Sequence, residues 1–226
     1  MNLLAIECST EYLSLALEAE GVLLDYHQHA GQRHAEQVFG EINALLARAG
    51  IVIKDLEGIA FGCGPGSFTG LRIACGVTQG LAYAIGAKVK GVVTLEALAE
   101  EAYRACGADK VIACTDARMG EVYHAAYQRE GSGWLQIRAP GVCKPERVPA
   151  PAGVGWTGCG SGFAEYREAL LAIHPDLLAV RDDLMPTARA ELALARPVFQ
   201  AGGGLDPREA VPLYIRDNVA RKKSEQ

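Results

Sequence analysis

No Cys-x-x-Cys pair occurs in this chain, although it has 7 cysteines, at positions 8, 63, 75, 106, 114, 143 and 159. An odd number without paired spacing argues against a disulfide scaffold and a cysteine-built zinc site. The thiols are expected to be small buried apolar groups in a reducing compartment, the cytoplasm. No apolar run reaches the ~18 residues of a membrane span. The opening MNLLAIECSTE lacks a basic segment and carries Glu7 early, so no signal peptide is expected. Positive charge is scarce as well: 22 Lys+Arg against 27 Asp+Glu leave a net charge of −5, with no basic stripe. The chain alone is therefore expected to bind nucleic acid poorly. Its basic cluster, Arg221-Lys222-Lys223, reads as a frayed polar tail. With 226 residues, 50% of them hydrophobic and 22% charged, the chain suits one large globular domain or two small ones.

The most informative segment present is GCGPGSFTGLRI, from Gly62 to Ile73, directly after the apolar stretch Gly58–Phe61. A strand, a glycine-rich turn and a helix start form a place where backbone N–H groups can face an anion. Neither common phosphate loop fits. A Walker A loop needs glycine where Pro65 stands, and Leu71-Arg72 replace its Lys-Ser/Thr. A dinucleotide fingerprint needs glycine at Ser67 or Thr69. Glycine also serves where another chain segment comes close. Two readings thus stay open for Gly64, Gly66 and Ser67: an anion-facing loop, or a tight turn with Ser67 or Thr69 capping the helix.

Strands are expected at Leu3–Cys8, Tyr12–Leu17, Val22–His29, Gly58–Gly62 and Val89–Val93. Helical spacing runs from His34 to Gly50, through Leu71–Ala87, and from a Thr94 cap along Leu95, Leu98, Ala102 and Ala105. The pattern then restarts. VIACTDARMGEVYHAAYQREG at 111–131 repeats the order of LAIECSTEYLSLALEAEG at 4–21: buried strand, polar turn with an acid (Glu7, Asp116), alternating strand, glycine turn. Strand-like Trp134–Ala139, a Pro/Gly-rich stretch at Pro145–Gly155, GCGSG at 158–162 and helices near 163–174 and 187–199 follow. This predicts two duplicated halves, 1–107 and 108–226, in an α/β fold.

GPGSFTGLRI, IECST, DARMGEVY and the late PLYIRDNVA together resemble one family, TsaB (also called YeaZ), across the whole chain. The resemblance implies an actin-like ATPase (ribonuclease H-like) α/β fold. It also implies a non-catalytic subunit of the complex that adds threonylcarbamoyl to N6 of the adenosine 3′ to the anticodon, in tRNAs reading A-starting codons. The implied partners are TsaD, the catalytic paralogue, as a heterodimer; the ATPase TsaE; and a second copy of the chain when TsaD is absent. tRNA is met only through the complex, and no membrane is involved. Where TsaD-like proteins carry a metal-holding His-x-x-x-His pair, this sequence has Thr94 and Leu98, so no metal is expected. No cofactor is expected either, with ATP or ADP entering only at the interface within the complex. Members usually read IDTST at the first turn. Here Glu7 is longer by one methylene and Cys8 lacks a hydroxyl, which weakens the case for nucleotide there.

The resemblance places the partner surface on the first two helices. Val38, Phe39, Ile42, Leu45 and Leu46 form a stripe too wide for one sheet face, and Gly76, Gly80 and Ala84 share one helix face beside Arg72. Each interior helix glycine costs about 1 kcal/mol relative to alanine, which suggests close approach by another helix. Candidate anion-facing residues are Glu7, Ser9, Thr10, Gly64, Gly66, Ser67, Asp116, Arg118, Gly158 and Gly160. For Asp116 and Arg118, a salt bridge fixing the turn competes with a phosphate role. Asp25, His27 and His29 alternate and read as a solvated strand face. His34, His124 and His174 lie in no triad spacing. The rival function is a stand-alone ATPase or small-molecule kinase of the same fold. A peptidase would need the missing metal pair or an activated nucleophile.

Overall fold

The computed structural model describes residues 1–216; Arg221-Lys222-Lys223 and the last four residues of PLYIRDNVA lie outside the described residues. The first sheet contains β1 (Leu3–Glu7), β2 (Tyr12–Ala19), β3 (Val22–His29), β4 (Gly58–Gly64) and β5 (Lys88–Val93), in the order β3-β2-β1-β4-β5. β1 pairs antiparallel with β2, and β2 with β3; β1 pairs parallel with β4, and β4 with β5. The second sheet holds β6 (Lys110–Asp116), β7 (Val122–Glu130), β8 (Gly133–Cys143), β9 (Thr157–Cys159) and β10 (Ala179–Arg181). Read as β8-β7-β6-β9-β10, it repeats the same order and the same strand directions. The repeated sequence pattern is a repeated sheet.

Among the described residues, six α-helices layer these sheets: α1 (His34–Ala49), α2 (Phe68–Ile85), α3 (Thr94–Cys106), α4 (Ser161–Glu165), α5 (Arg167–Ile173) and α6 (Ala188–Gln200). Strand alternation decides which face each helix meets. Leu4 and Ile6 of β1, Leu13, Leu15 and Leu17 of β2, and Ile59 and Phe61 of β4 face outward and pack under α1 and α2. Leu3 and Ala5 of β1, Ala16 of β2 and Ala60 of β4 face the opposite way and meet α6 through Leu192, Ala195 and Phe199. That face is small by necessity: a Cβ on Gly58 would lie 2.8 Å from the Phe199 ring.

The helices between the sheets are exchanged. α3, from the first half of the chain, packs on β6 and β7 of the second sheet. α6, from the second half, packs on β1, β2, β4 and β5 of the first, and the two helices touch. α3 is held by more than apolar contact. Glu100 accepts from Arg129 and, at 2.9 Å, from Trp134 Nε1, and the Arg129 guanidinium lies 4.1 Å from the Tyr103 ring centroid. α4 and α5 cover the outer face of the second sheet through Phe163 and Leu170 against Ile112, Cys114 and Trp156.

Local differences from the sequence reading have physical reasons. Thr94 is the first helical residue rather than the cap; Val93 precedes it and the Thr94 side chain is buried. The helix expected near 163–174 is split at Tyr166 into α4 and α5. The Tyr166 hydroxyl reaches over to Asp116 Oδ1 at 3.2 Å. The strand expected at Trp134–Ala139 runs on to Cys143, because β7 continues to pair with it past a bulge.

Candidate functional site

The glycine turn connects β4 to α2, and Ser67 is the cap: its Oγ accepts from Gly70 N–H at 3.3 Å. Its own N–H donates to the Ser9 carbonyl at 2.8 Å. Each glycine here lies against chain. A Cβ on Gly66 would stand 2.5 Å from Ser9 Cβ, and one on Gly70 would overlap the Cys8 carbonyl. Gly64 has φ +114°, and a Cβ there would meet the Leu213 carbonyl at 2.9 Å. The C-terminal described segment crosses above the turn, with Leu213 N–H donating to the Cys63 carbonyl at 2.7 Å. Close approach of chain to chain accounts for these glycines without a ligand.

Both acidic turns are engaged internally. Glu7 accepts from Ser9 N–H, and Thr10 Oγ1 accepts from Tyr12 N–H at 3.1 Å. Asp116 accepts from Arg118 N–H at 2.9 Å, from Arg118 Nη1 at 3.0 Å and from the Tyr166 hydroxyl. Its N–H donates to Ser161 Oγ at 3.1 Å. The turn-fixing salt bridge is therefore present. Arg118 also reaches across to the first turn, where its Nη2 donates to Glu11 Oε1 at 3.3 Å. GCGSG is likewise packed: a Cβ on Gly158 would strike the Phe163 ring, and Gly160, at φ +100°, lies against the Cys114 carbonyl.

Asp25, His27 and His29 do share one face of β3, but each has its own partner. Asp25 lies 3.9 Å from Arg189, His27 stacks on Tyr12 at 4.8 Å, and His29 lies 3.5 Å from Glu11. His34 bonds the Tyr12 carbonyl at 3.2 Å at the start of α1. Leu98 is fully buried against the second sheet. Among the described residues, no group of three or more His, Cys, Asp and Glu is arranged to hold a metal. The thiols near the glycine turn are poor nucleophiles, since burial pushes Cys63 up to about 11 and Cys75 up to about 12.

Glu191 on α6 was not among the residues the sequence singled out. It has no exposed surface, and burial, with Glu7 beside it, holds its carboxyl well above the usual carboxylate range. The signal was present in the sequence. Ala188, Leu192, Ala195 and Phe199 make an apolar helix stripe, and Glu191 falls inside it.

The helix face proposed for a partner needs correcting on α1. Val38, Ile42, Leu45 and Leu46 are buried in the chain's own core, against β1, β2 and β4, so their side chains offer nothing to another molecule. A sheet flanked by two helices absorbs these four residues of the stripe. Phe39 alone of the five remains outside, at 52% exposure. On α2, Gly76, Gly80 and Ala84 are exposed, and a Cβ at Gly76 or Gly80 would meet nothing within 4 Å. Gly40 on α1 is equally open. Tyr83 stands beside this smooth face at 73% exposure. Arg72 is exposed but committed within the chain: it stacks over Phe68 at 3.7 Å and donates to the Tyr214 hydroxyl at 3.0 Å.

Two copies of one five-stranded unit, with a glycine turn and a hairpin turn at matching ends, define an actin-like, ribonuclease H-like α/β protein. Residues 26–156 match the TsaD family, described as tRNA N6-adenosine threonylcarbamoyltransferase. The chain belongs to the TsaB (YeaZ) family. It is 37% identical over 235 residues to the tRNA threonylcarbamoyladenosine biosynthesis protein TsaB of Escherichia coli, covering 99% of this chain and 98% of that protein. Identity to the TsaB of Haemophilus influenzae is 32%, covering 99% and 97%. The solved structure of YeaZ from Pseudomonas aeruginosa superimposes with a TM-score of 0.87 at 38% identity, covering 94% of this chain and 99% of that one. A second Pseudomonas aeruginosa structure, described as an uncharacterized protein with similarity to peptidase YEAZ, gives 0.89 at 39% identity, covering 95% and 99%.

Proposed function

We propose that this chain is the non-catalytic subunit of the cytoplasmic complex that places threonylcarbamoyl on N6 of the adenosine 3′ to the anticodon. The pathway is the one its relatives are named for. In this reading the chain pairs with TsaD, which carries the chemistry, and helps form the surface where TsaE docks. It self-associates when TsaD is absent, and it meets tRNA only through the complex. ATP or ADP enters only at the joint with TsaD.

The observation that carries the reading is the open glycine face of α2. Gly76 and Gly80 weaken an exposed helix interior, and a Cβ on either would meet nothing within 4 Å among the described residues. Such a face, with the exposed Tyr83 on the same helix, suits close helix-on-helix packing. A stand-alone ATPase or kinase would need free donors at its phosphate turns. Here the Ser67, Asp116 and Arg118 N–H groups all donate within the chain, and the Asp116 carboxylate accepts from Arg118. Light scattering of the chain mixed with its TsaD tests the proposal. Wild type is expected to form a one-to-one heterodimer, and Gly80→Leu is expected to lose it while keeping its circular dichroism spectrum. Full transferase activity of TsaD without this chain, or steady-state ATP hydrolysis by the chain alone, would overturn the reading.

A further inference from the structure

Glu7 closes β1 on the face that meets α6, and Glu191 sits in the buried stripe of that helix. Both are without exposed surface. They converge over Gly62: a Cβ placed there would collide with Glu7 Oε2 and would stand 2.5 Å from Glu191 Oε1. Glu7 Oε1 is taken by Ser9 N–H. Glu7 Oε2 and both Glu191 oxygens find no partner elsewhere among the described residues.

Among the described residues, nothing nearby neutralises two negative charges. On α6 itself, Arg189 turns to Asp25 and Arg196 to Glu18. From β5, Lys90 acts on Glu96 and Cys63. From α3, Glu101 accepts from the Thr187 hydroxyl at 2.6 Å. The thiols of Cys8 on the β1 side and Cys63 on β4 are kept protonated by burial, and burial holds His27 of β3 below its usual range. Two ionised carboxylates in such a dry contact would repel without compensation, whereas one proton between them satisfies both.

We propose that Glu7 and Glu191 form a carboxylic acid–carboxylate pair that holds one proton and makes the docking of α6 on the first sheet sensitive to pH. The proton resides on Glu191 and is donated to Glu7. At high pH it leaves to solvent, and the like charges push α6 from the sheet. The direction follows from linkage. Glu191 binds its proton more tightly folded than unfolded, so its contribution is full below its ordinary value and is lost as pH rises toward the folded value.

Urea unfolding of wild type and Glu191→Gln from about pH 5 to about pH 9 tests this. Across that range the ratio of their folding constants is expected to shift about tenfold per pH unit in favour of Glu191→Gln, until Glu191 ionises in the fold. A ratio flat with pH would sink the proposal. Infrared spectra of the native chain need no variant: a carboxylic-acid C=O stretch should be present at neutral pH and disappear only at the higher pH where the shift in that ratio levels off. Absence of that band, or a bound divalent cation in the proton's place by metal analysis, would overturn it.

Discussion

Gly70 lies against the Cys8 carbonyl, while Gly76 and Gly80, further along the same helix, face open space. A methyl group therefore has opposite effects at the two kinds of position. Gly70→Ala forces backbone apart and is expected to cost about 1–3 kcal/mol. Gly76→Ala and Gly80→Ala should each stabilise the isolated chain by about 0.5–1 kcal/mol, because alanine is the better helix former. Chemical denaturation of the three variants checks both signs. The spacing of these glycines was legible in the sequence, but whether each faced chain or space was not. That distinction depends on where the Ser9 turn, some sixty residues away in sequence, comes to rest.

At the scale of elements, α1 shows how a correct pattern can be given the wrong partner. The stripe through Val38, Ile42, Leu45 and Leu46 was read from spacing, and the chain's own first sheet covers it. Amphipathicity says that a face is buried, not by what. The glycines of GPGSFTG and GCGSG were ambiguous for a related reason, since a turn that cradles an anion and one that cradles a carbonyl need the same residue. The outer layer of the second sheet carries a separate pH dependence. His124 on β7 and His174 after α5 are both buried, and burial lowers both below the usual histidine range; for His174 the nearby His124 adds to the shift. The unfolded chain then binds protons more readily than the folded one. The contribution of the two rings is full above about pH 6.5 and is lost as pH drops through that value. In urea unfolding, the ratio of the folding constants of wild type and His174→Gln should shift in favour of His174→Gln between about pH 7 and about pH 5. A ratio flat with pH would mean that the His174 ring is not held neutral by the fold.

For the whole molecule, the duplication was legible because each copy is local: strand, acidic turn, strand, glycine turn. The exchange of α3 and α6 was not, since helix spacing carries no record of which sheet a helix will meet. The exchange joins the halves into one cooperative unit. Residues 1–107 alone would leave Leu3, Ala5, Ala16, Ala60 and Val92 without their cover from α6. That fragment is expected to be unfolded or aggregated by circular dichroism and light scattering, and a soluble fragment with a cooperative melt would refute the coupling.

The same exchange sets an order of events during translation. The first sheet is the earliest to leave the ribosome, yet α6, which closes its inner face, is among the last elements made. For most of synthesis the nascent chain carries an open apolar sheet face, and its N-terminal half cannot complete its fold ahead of the rest as an independent domain would. Arrest of translation before residue 188 would thus leave a chain that chaperones hold rather than release.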